Sequence, residues 1–121
     1  MSFLLKIQPV FAAVTFAALV GCANDPAPTE QLKLTEQAVA QATAVGANDE
    51  APDLVTAQAK LTQARADMAD KAYKDARMQA EQAELDARLA EARVLTQKSE
   101  AQVAQVNTRL ERLRKQLGAG Q

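Results

Sequence analysis

Few residues in this sequence could support catalysis. The 121 residues include no histidine and one cysteine, Cys22. Without an imidazole there is no Ser-His or Cys-His nucleophile, no histidine metal ligand and no histidine pH switch. One thiol cannot form an internal disulfide or a zinc cluster. Because Ser99 has no histidine to activate it, the sequence predicts a protein that is not an enzyme and holds no metal or other non-covalent cofactor.

Two groups of acidic residues could do chemistry of other kinds. Asp49, Glu50 and Asp53 offer oxygen ligands for a cation such as Ca²⁺, but they lack the regular spacing of a calcium loop. They are better explained as a solvated loop and the start of a helix. Glu81 and Glu84 share one helix face, and such a pair on an exposed helix is predicted to be solvent-facing charge.

Basic residues gather near the end of the sequence. Arg109, Arg112, Arg114 and Lys115 surround only one acid, Glu111, which gives a local charge of +3. They could contact lipopolysaccharide phosphates or anionic peptidoglycan groups. The interpretation that the sequence favours is simpler, since basic residues suit the negative end of a helix dipole. The net charge of −1 and the scarcity of aromatics exclude nucleic acid as a partner.

The first 21 residues are typical of a secretory signal. Lys6 lies near the start, and an apolar run over residues 10–20 follows it. About 11 residues are too few to span a bilayer, which needs roughly 20. All three phenylalanines lie in this segment, so Tyr73 is the only aromatic residue after it.

The segment ends in Leu19-Val20-Gly21-Cys22, which resembles the lipobox of bacterial lipoproteins at all four positions. The resemblance implies that the Cys22 thiol receives a diacylglyceryl group, that cleavage follows Gly21, and that the new amino group is acylated. Ala23 stands where lipoproteins of the inner membrane often carry Asp, so the resemblance favours the periplasmic face of the outer membrane. The alternative is a secreted protein whose free cysteine lies near its cleavage site by chance.

The remaining sequence predicts helices. Two prolines between residues 22 and 29 keep that segment extended, as a lipidated tether. Thr29 is the predicted N-cap of a first helix, whose face is marked by Leu34, Ala38, Ala42 and Val45. The predicted stop signal after it is the glycine at position 46, before a polar loop.

Pro52 fits the first turn of a second helix, which has one apolar stripe. A change of phase then favours a turn at Asp70-Lys71, with Tyr73 opening a third helix beside a small core. The charge pairs Asp67–Lys71 and Asp70–Lys74 favour the alternative of one continuous helix. The predicted stripe of the second helix comprises Leu54, Ala57, Leu61, Ala64 and Met68. After the change of phase the apolar positions are Ala69, Ala72, Ala76, Ala80, Ala83, Ala87 and Ala90.

A second stripe follows the third helix at alternating spacings of four and three, which is the heptad pattern of a coiled coil. It comprises Leu85, Leu89, Ala92, Thr96, Ser99, Val103, Val106, Leu110, Leu113 and Leu117. Thr96 and Ser99 interrupt it, either to set the register or to mark the end of the bundle. Because two short helices cover only about 20 residues of the third, the part after Val94 is predicted to project and to dimerise or dock on a partner through Val103, Val106, Leu110, Leu113 and Leu117.

The chain also resembles a family of short, Ala-rich bacterial envelope lipoproteins of unassigned function. The same helical module occurs ahead of OmpA-like peptidoglycan-binding domains, but none follows Leu117 in this sequence, so peptidoglycan binding is not implied. Members often have Gly where Asp70-Lys71 stands here. The residues that carry the resemblance, between Thr29 and Arg93, are Ala51-Pro52, Leu61, Ala64, the run Ala72-Tyr73-Lys74-Asp75-Ala76-Arg77 and the run Ala80-Glu81-Gln82-Ala83.

Together these patterns predict an all-α protein, a helical hairpin or three-helix antiparallel module whose long third helix extends as a coiled-coil stalk. The expected function is a structural or tethering lipoprotein of the cell envelope that self-associates. The alternative is an adaptor that docks its C-terminal helix on a specific envelope protein complex. The expected organisation is a signal peptide (1–21), a tether (22–29), a helical module (30–93), a coiled-coil extension (94–117) and a tail (118–121).

Overall fold

The computed structural model describes residues 25–120. Their regular structure is entirely helical, with α1 at Thr29–Ala44, α2 at Pro52–Ala69 and α3 at Tyr73–Gly118. The all-α fold with a long third helix is therefore confirmed. The predicted cleavage after Gly21 and lipidation of Cys22 lie outside the described residues and stay predictions.

The end of α1 follows the predicted glycine signal. Gly46 has φ 111°, and the amides of Gly46 and Ala47 donate to the carbonyls of Thr43 and Ala42 at 3.0 Å each. This is a Schellman cap, which satisfies the last carbonyls of the helix. Pro52 is the first residue of α2, as predicted.

The predicted N-cap of α1 is wrong. Thr29 is the first helical residue, Pro28 occupies the cap position, and no side chain caps the helix. The amide of Leu32 donates to the Pro28 carbonyl at 3.0 Å, which places the first helical hydrogen bond one residue earlier than expected.

The chain turns between α2 and α3, as the change of phase predicted. Lys71 has φ 60°, the left-handed conformation that glycine adopts more readily. Its amide donates to the Met68 carbonyl at 3.2 Å, and the Ala72 amide donates to the Asp67 carbonyl at 2.8 Å. These two bonds make a second Schellman cap, with lysine in the position that usually holds glycine.

Side-chain pairs between helices show their directions. Gln31 and Gln41 of α1 donate to Glu84 and Glu91 of α3, so α1 and α3 run parallel. Helix α2 runs antiparallel to both. Its pairs with α3 are Lys60–Asp86 and Asp53–Arg93, both at 2.7 Å.

The core is built mostly from alanine. Small side chains let helix axes approach closely, toward the lower end of the usual 8–10 Å range. Leu54 is the largest fully buried apolar side chain. The predicted stripe of α2 is confirmed, with Met68 half-buried at its end. The buried residues of α2 and α3 are Leu54, Ala57, Leu61, Ala64, Ala76, Ala80, Ala83, Ala87 and Ala90.

The buried face of α1 differs from the prediction at two positions. Val45 is the half-buried C-cap residue after the helix and not part of its face. Leu34 is 48% exposed, whereas the polar Thr35 is fully buried beside Ala38 and Ala42. The Thr35 hydroxyl lies 2.9 Å from the carbonyl oxygens of Gln31 and Ala80, where it can donate to either. A small β-branched residue fits this close contact with α3, and its hydroxyl keeps an acceptor when it leaves water.

Burial along α3 ends abruptly. Val94 is half-buried, and every residue from Leu95 to Gly118 is exposed. At 1.5 Å per residue this segment, named the extension, is about 36 Å long. At its start, the Lys98 ammonium donates a hydrogen bond to the Val45 carbonyl of the bundle.

Candidate interaction surface on the third helix

The apolar face of α3 is the most prominent surface in the described part of the chain. We name it the α3 stripe, and it comprises the ten heptad positions Leu85, Leu89, Ala92, Thr96, Ser99, Val103, Val106, Leu110, Leu113 and Leu117. Its large residues are all exposed, and their exposed fractions lie between 42% at Leu89 and 76% at Leu117. The stripe continues from the bundle into the extension, with the polar Thr96 and Ser99 between its two apolar parts.

The helix geometry explains why the bundle leaves this stripe uncovered. Ala83 and Ala87 are fully buried, and Leu85 and Leu89 follow each of them by two residues. Two residues turn an α-helix by about 200°, so stripe and buried alanines lie on opposite sides of α3. Helices α1 and α2 pack on the alanine side and cannot reach the stripe.

Charged and polar residues flank the α3 stripe at the heptad positions that face a partner helix. If Leu85 is heptad position d and Leu89 is position a, the e positions follow each d residue on one side of the stripe. They are held by Asp86, Arg93, Glu100, Asn107 and Arg114. On the other side (heptad g) lie Glu81, Arg88, Gln102, Arg109 and Gln116, and the apolar Leu95 takes the remaining g position. These flanks were not predicted, although their heptad spacing from the stripe is visible in the sequence itself.

Thr96 and Ser99 lie directly after the point where burial ends. They line a shallow groove on the exposed side of α3 together with Glu100, Val103 and Asn107. Both predicted roles, setting the register and marking the end of the bundle, are compatible with this position. Tyr73, predicted to lie beside the core, is half-buried at the first position of α3.

The three acidic residues that were weighed as cation ligands lie in different surroundings. Asp53 accepts from Arg93 at 2.7 Å, and Asp49 and Glu50 are exposed in the loop before α2. Within residues 25–120, no cluster of three or more potential metal ligands is present.

Glu84 is not the solvent-facing carboxylate that the sequence predicted. It is half-buried, while Glu81 is exposed. The Arg88 guanidinium donates to it at 2.6 Å, and Gln31 of α1 donates at 2.7 Å. These hydrogen bonds, that from Arg88 first, hold the pKa of Glu84 below its ordinary value. The ionised Glu84 carboxylate therefore links α3 to α1 through its hydrogen bond from Gln31.

The basic residues lie far from the start of α3. Arg109, Arg112, Arg114 and Lys115 are all exposed, and Arg114 pairs with Glu111 at 2.8 Å. Along the helix, Arg109 is about 54 Å from Tyr73. These cations are therefore carried at the tip of the extension.

Comparisons with known proteins give a family match and a solved structure. The model of DUF4398, a domain of unknown function, matches residues 30–106. The crystal structure of a DUF4398 family protein from Pseudomonas aeruginosa PAO1 is 56% identical, with a TM-score of 0.77. The similarity covers 79% of this chain and 100% of that one. Among curated proteins, no match is found.

Proposed function

This chain belongs to the DUF4398 family of domains of unknown function, and we propose that it is a non-catalytic lipoprotein of the bacterial outer membrane. In this proposal Cys22 carries the lipid, the rest of the protein lies in the periplasm, and the molecule is a structural or tethering component of the envelope. None of the helices within residues 25–120 is long and apolar enough to cross a membrane.

The observation that carries the proposal is the direction of the molecule: the segment before α1 and the tip of α3 lie at opposite ends. The Arg77 guanidinium donates to the Pro26 carbonyl at 3.2 Å, which holds the segment before α1 beside the start of α3. Because α1 and α3 run parallel, the extension leaves the bundle at the opposite end. A lipid at Cys22 therefore directs the tip of α3 away from the membrane, at the end of a helix about 69 Å long. This is the arrangement that a tether needs.

The side-chain chemistry supports a role in contact, not in catalysis. The half-buried carboxylates of the bundle are engaged in ion pairs or hydrogen bonds with cations and amides, as Asp53, Glu84 and Asp86 show. The face that a binding partner meets is apolar and extended, and it is far longer than a small-molecule site.

The test is metabolic labelling of the full chain with palmitate in bacterial cells. We expect the wild-type chain to incorporate label and Cys22→Ala to incorporate none. The matched control is Cys22→Ala combined with Ser99→Cys, which restores a thiol but not its position, and which should also stay unlabelled. Absence of label from the wild type, or label that persists in Cys22→Ala, would contradict the lipid anchor.

The exposed α3 stripe also favours a second candidate, an adaptor that docks on a specific envelope protein complex. Sedimentation of the detergent-purified protein separates the two candidates. A stable homo-oligomer supports the structural role, whereas a monomer that crosslinks in cells to one envelope protein from position 106 supports the adaptor. The tip cations could then contact peptidoglycan or lipopolysaccharide close to that partner.

A further inference from the structure

We infer that the turn between α2 and α3, residues 70–72, rests on the phospholipid headgroups of the anchoring membrane, together with Tyr73 and Lys74. This contact depends on the lipid anchor of the proposed function and adds to it a second attachment, made by the folded bundle itself. Three features support it: the place of the turn at the anchored end, the short chain that links this end to Cys22, and the side chains that the turn exposes.

The α2–α3 turn lies at the end of the bundle that faces the proposed anchor. Because α2 runs antiparallel to α1 and α3, its last residue and the first residues of the other two helices meet at one end. At this end Pro26 accepts from Arg77, and Tyr73 precedes Arg77 by four residues. Four helical residues span about 6 Å. The turn therefore projects about 6 Å beyond the level of Arg77, in the direction opposite to the extension.

The bond between Arg77 and Pro26 shortens the tether. Pro26 follows Cys22 by four residues, and four residues of extended chain span at most about 14 Å. If the chain were free as far as Thr29, seven residues would span about 25 Å. Since the turn projects about 6 Å toward the membrane, at most about 8 Å separates it from the level of Cys22. A headgroup layer is about 5–7 Å thick, and a lysine side chain closes the rest of the distance.

Lys71 stands at a position that suits glycine better. Its φ of 60° is left-handed, and its side chain is exposed. Among the residues that the structure describes, neither Lys71 nor Lys74 forms an ion pair. A strained residue whose side chain the fold does not use points to a function outside the fold. At the end that faces the anchor, the partner for an ammonium group is the phosphate of a lipid headgroup.

The other side chains at this end suit a layer of lipid headgroups. Tyr73 is half-buried and is the one aromatic residue after the signal segment. Tyrosine is enriched at membrane interfaces, because its ring is apolar and its hydroxyl is polar. Asp70 and Asp75 are exposed beside Lys71 and Lys74, so this end carries both signs of charge. Phosphatidylethanolamine, with a phosphate and an ammonium group in each headgroup, offers a partner to both signs.

The contact can be tested by tryptophan fluorescence, because the chain has no tryptophan of its own. The lipidated full chain is placed in vesicles of phosphatidylethanolamine and phosphatidylglycerol that contain a lipid with a nitroxide quencher on its headgroup. We expect Tyr73→Trp to lose most of its fluorescence, and the exposed Lys74→Trp to do the same if Tyr73→Trp does not fold. Glu50→Trp is the matched control and should lose none, because Glu50 is exposed in the loop before α2, about 27 Å from the turn.

Other patterns of quenching overturn the inference. No quenching at position 73, 74 or 50 shows that the bundle stands clear of the membrane. Quenching of Leu110→Trp shows that α3 lies along the membrane on its stripe. Flotation of the same vesicles tests the anchor separately. Protein that floats without quenching at position 73 or 74 contradicts the contact alone, whereas protein that does not float contradicts the anchor and the contact with it.

A variant of Lys71 separates the membrane contact from the stability of the fold. In the chain with Tyr73→Trp, Lys71→Gly should keep or raise the thermal stability, because glycine adopts the left-handed conformation freely. It should lower the ratio of quenched to unquenched molecules about fivefold, which corresponds to about 1 kcal/mol for one basic residue at an anionic surface. Lys71→Arg is the matched control, since it keeps the charge, and it should leave the ratio unchanged. An unchanged ratio in Lys71→Gly would contradict the contact.

A variant of Arg77 tests the short tether. Arg77→Ala frees Pro26, so that the chain between the lipid and the bundle lengthens, and quenching at position 73 should decrease. Arg112→Ala is the matched control, because it removes an exposed arginine of the extension, and it should leave quenching as it is. Equal quenching in the two variants would show that the bond to Pro26 does not hold the turn at the membrane.

Discussion

The two halves of α3 use apolar residues in opposite ways. In the bundle half, before Leu95, the buried side chains are alanines, and Ala76, Ala80, Ala83 and Ala87 are fully inaccessible. In the extension the large apolar side chains are leucines and valines, and every one of them is exposed. The smallest apolar residues of the helix therefore form its core, and the largest face solvent.

This difference separates contact within the chain from contact between molecules. An alanine buries little area, so an alanine core is stable only when backbones approach closely. Helix backbones can come this close when the helices are joined by short, well-capped turns within one chain. Leucines and valines bury more area for each residue and are suited to an association that must overcome the entropy of joining separate molecules.

The sharpest test of the comparison replaces one large side chain in each half. Leu54→Ala leaves a cavity between α2 and the bundle half of α3, and we expect a loss of about 2–5 kcal/mol in the free energy of unfolding. Leu110→Ala in the extension should change it by less than about 0.5 kcal/mol in the monomer. Denaturant unfolding at high dilution measures both. Equal losses would show that the extension belongs to the fold.

Enlarging a small residue gives the next largest effect. Ala83→Leu forces α3 away from its neighbours, because Ala83 is fully buried in the close contact. We expect a loss of about 1–3 kcal/mol. The control is Ala104→Leu, at an exposed position off the stripe. If thermal unfolding showed Ala83→Leu to be tolerated, the close packing described for the bundle would be wrong.

Two threonines with the same local hydrogen bond permit a finer comparison. Thr35 and Thr108 each have a hydroxyl 2.9 Å from the carbonyl four residues earlier, but only Thr35 also lies beside a carbonyl of another helix, that of Ala80. Thr35→Val should cost about 1 kcal/mol of unfolding free energy. Thr108→Val should cost almost nothing, and matched denaturation curves of the two variants decide the point.

The smallest expected effect depends on pH. The pKa of Glu84 is lowered in the folded state from an ordinary value of 4.5. Its carboxylate therefore stabilises the fold above that pH, and the contribution is lost as the pH falls below it. Between neutral pH and about pH 3, wild type should lose a few tenths of a kcal/mol more than Glu84→Gln. Glu111→Gln, in the extension, should follow the wild-type profile; a deviation as large as that of Glu84→Gln would contradict the assignment.

Much of the fold could be predicted because its signals are local. Pro52 and Gly46 mark helix ends by backbone chemistry alone, and the α2 stripe depends only on spacing. The turn at Lys71 was detected through the change of phase on either side of it. No residue type marks the turn itself, since lysine adopts the left-handed conformation that glycine favours.

The core of α1 could not be predicted in the same way. Apolar periodicity favours Leu34 over Thr35, and the sequence does not reveal that the Ala80 carbonyl accepts a hydrogen bond from a hydroxyl at this point. The exposure of the apolar residues from Val103 to Leu117 was predicted, whereas their role as an interface stays a prediction. The continuation of the stripe over Leu85 and Leu89 as an uncovered face depends on which side of α3 the other helices occupy, and only the three-dimensional arrangement determines that.

The parallel course of α1 and α3 has a mechanical consequence. If the chain is held at the start of α1 and pulled at the tip of α3, the force slides the two helices along each other in shear. The bonds from Gln31 to Glu84, from Thr35 to Ala80, and from Gln41 to Glu91 then bear load together. An antiparallel pair pulled at its open ends would instead be peeled apart one contact at a time. The order of the helices thus resists tension along the axis on which a tether is stretched.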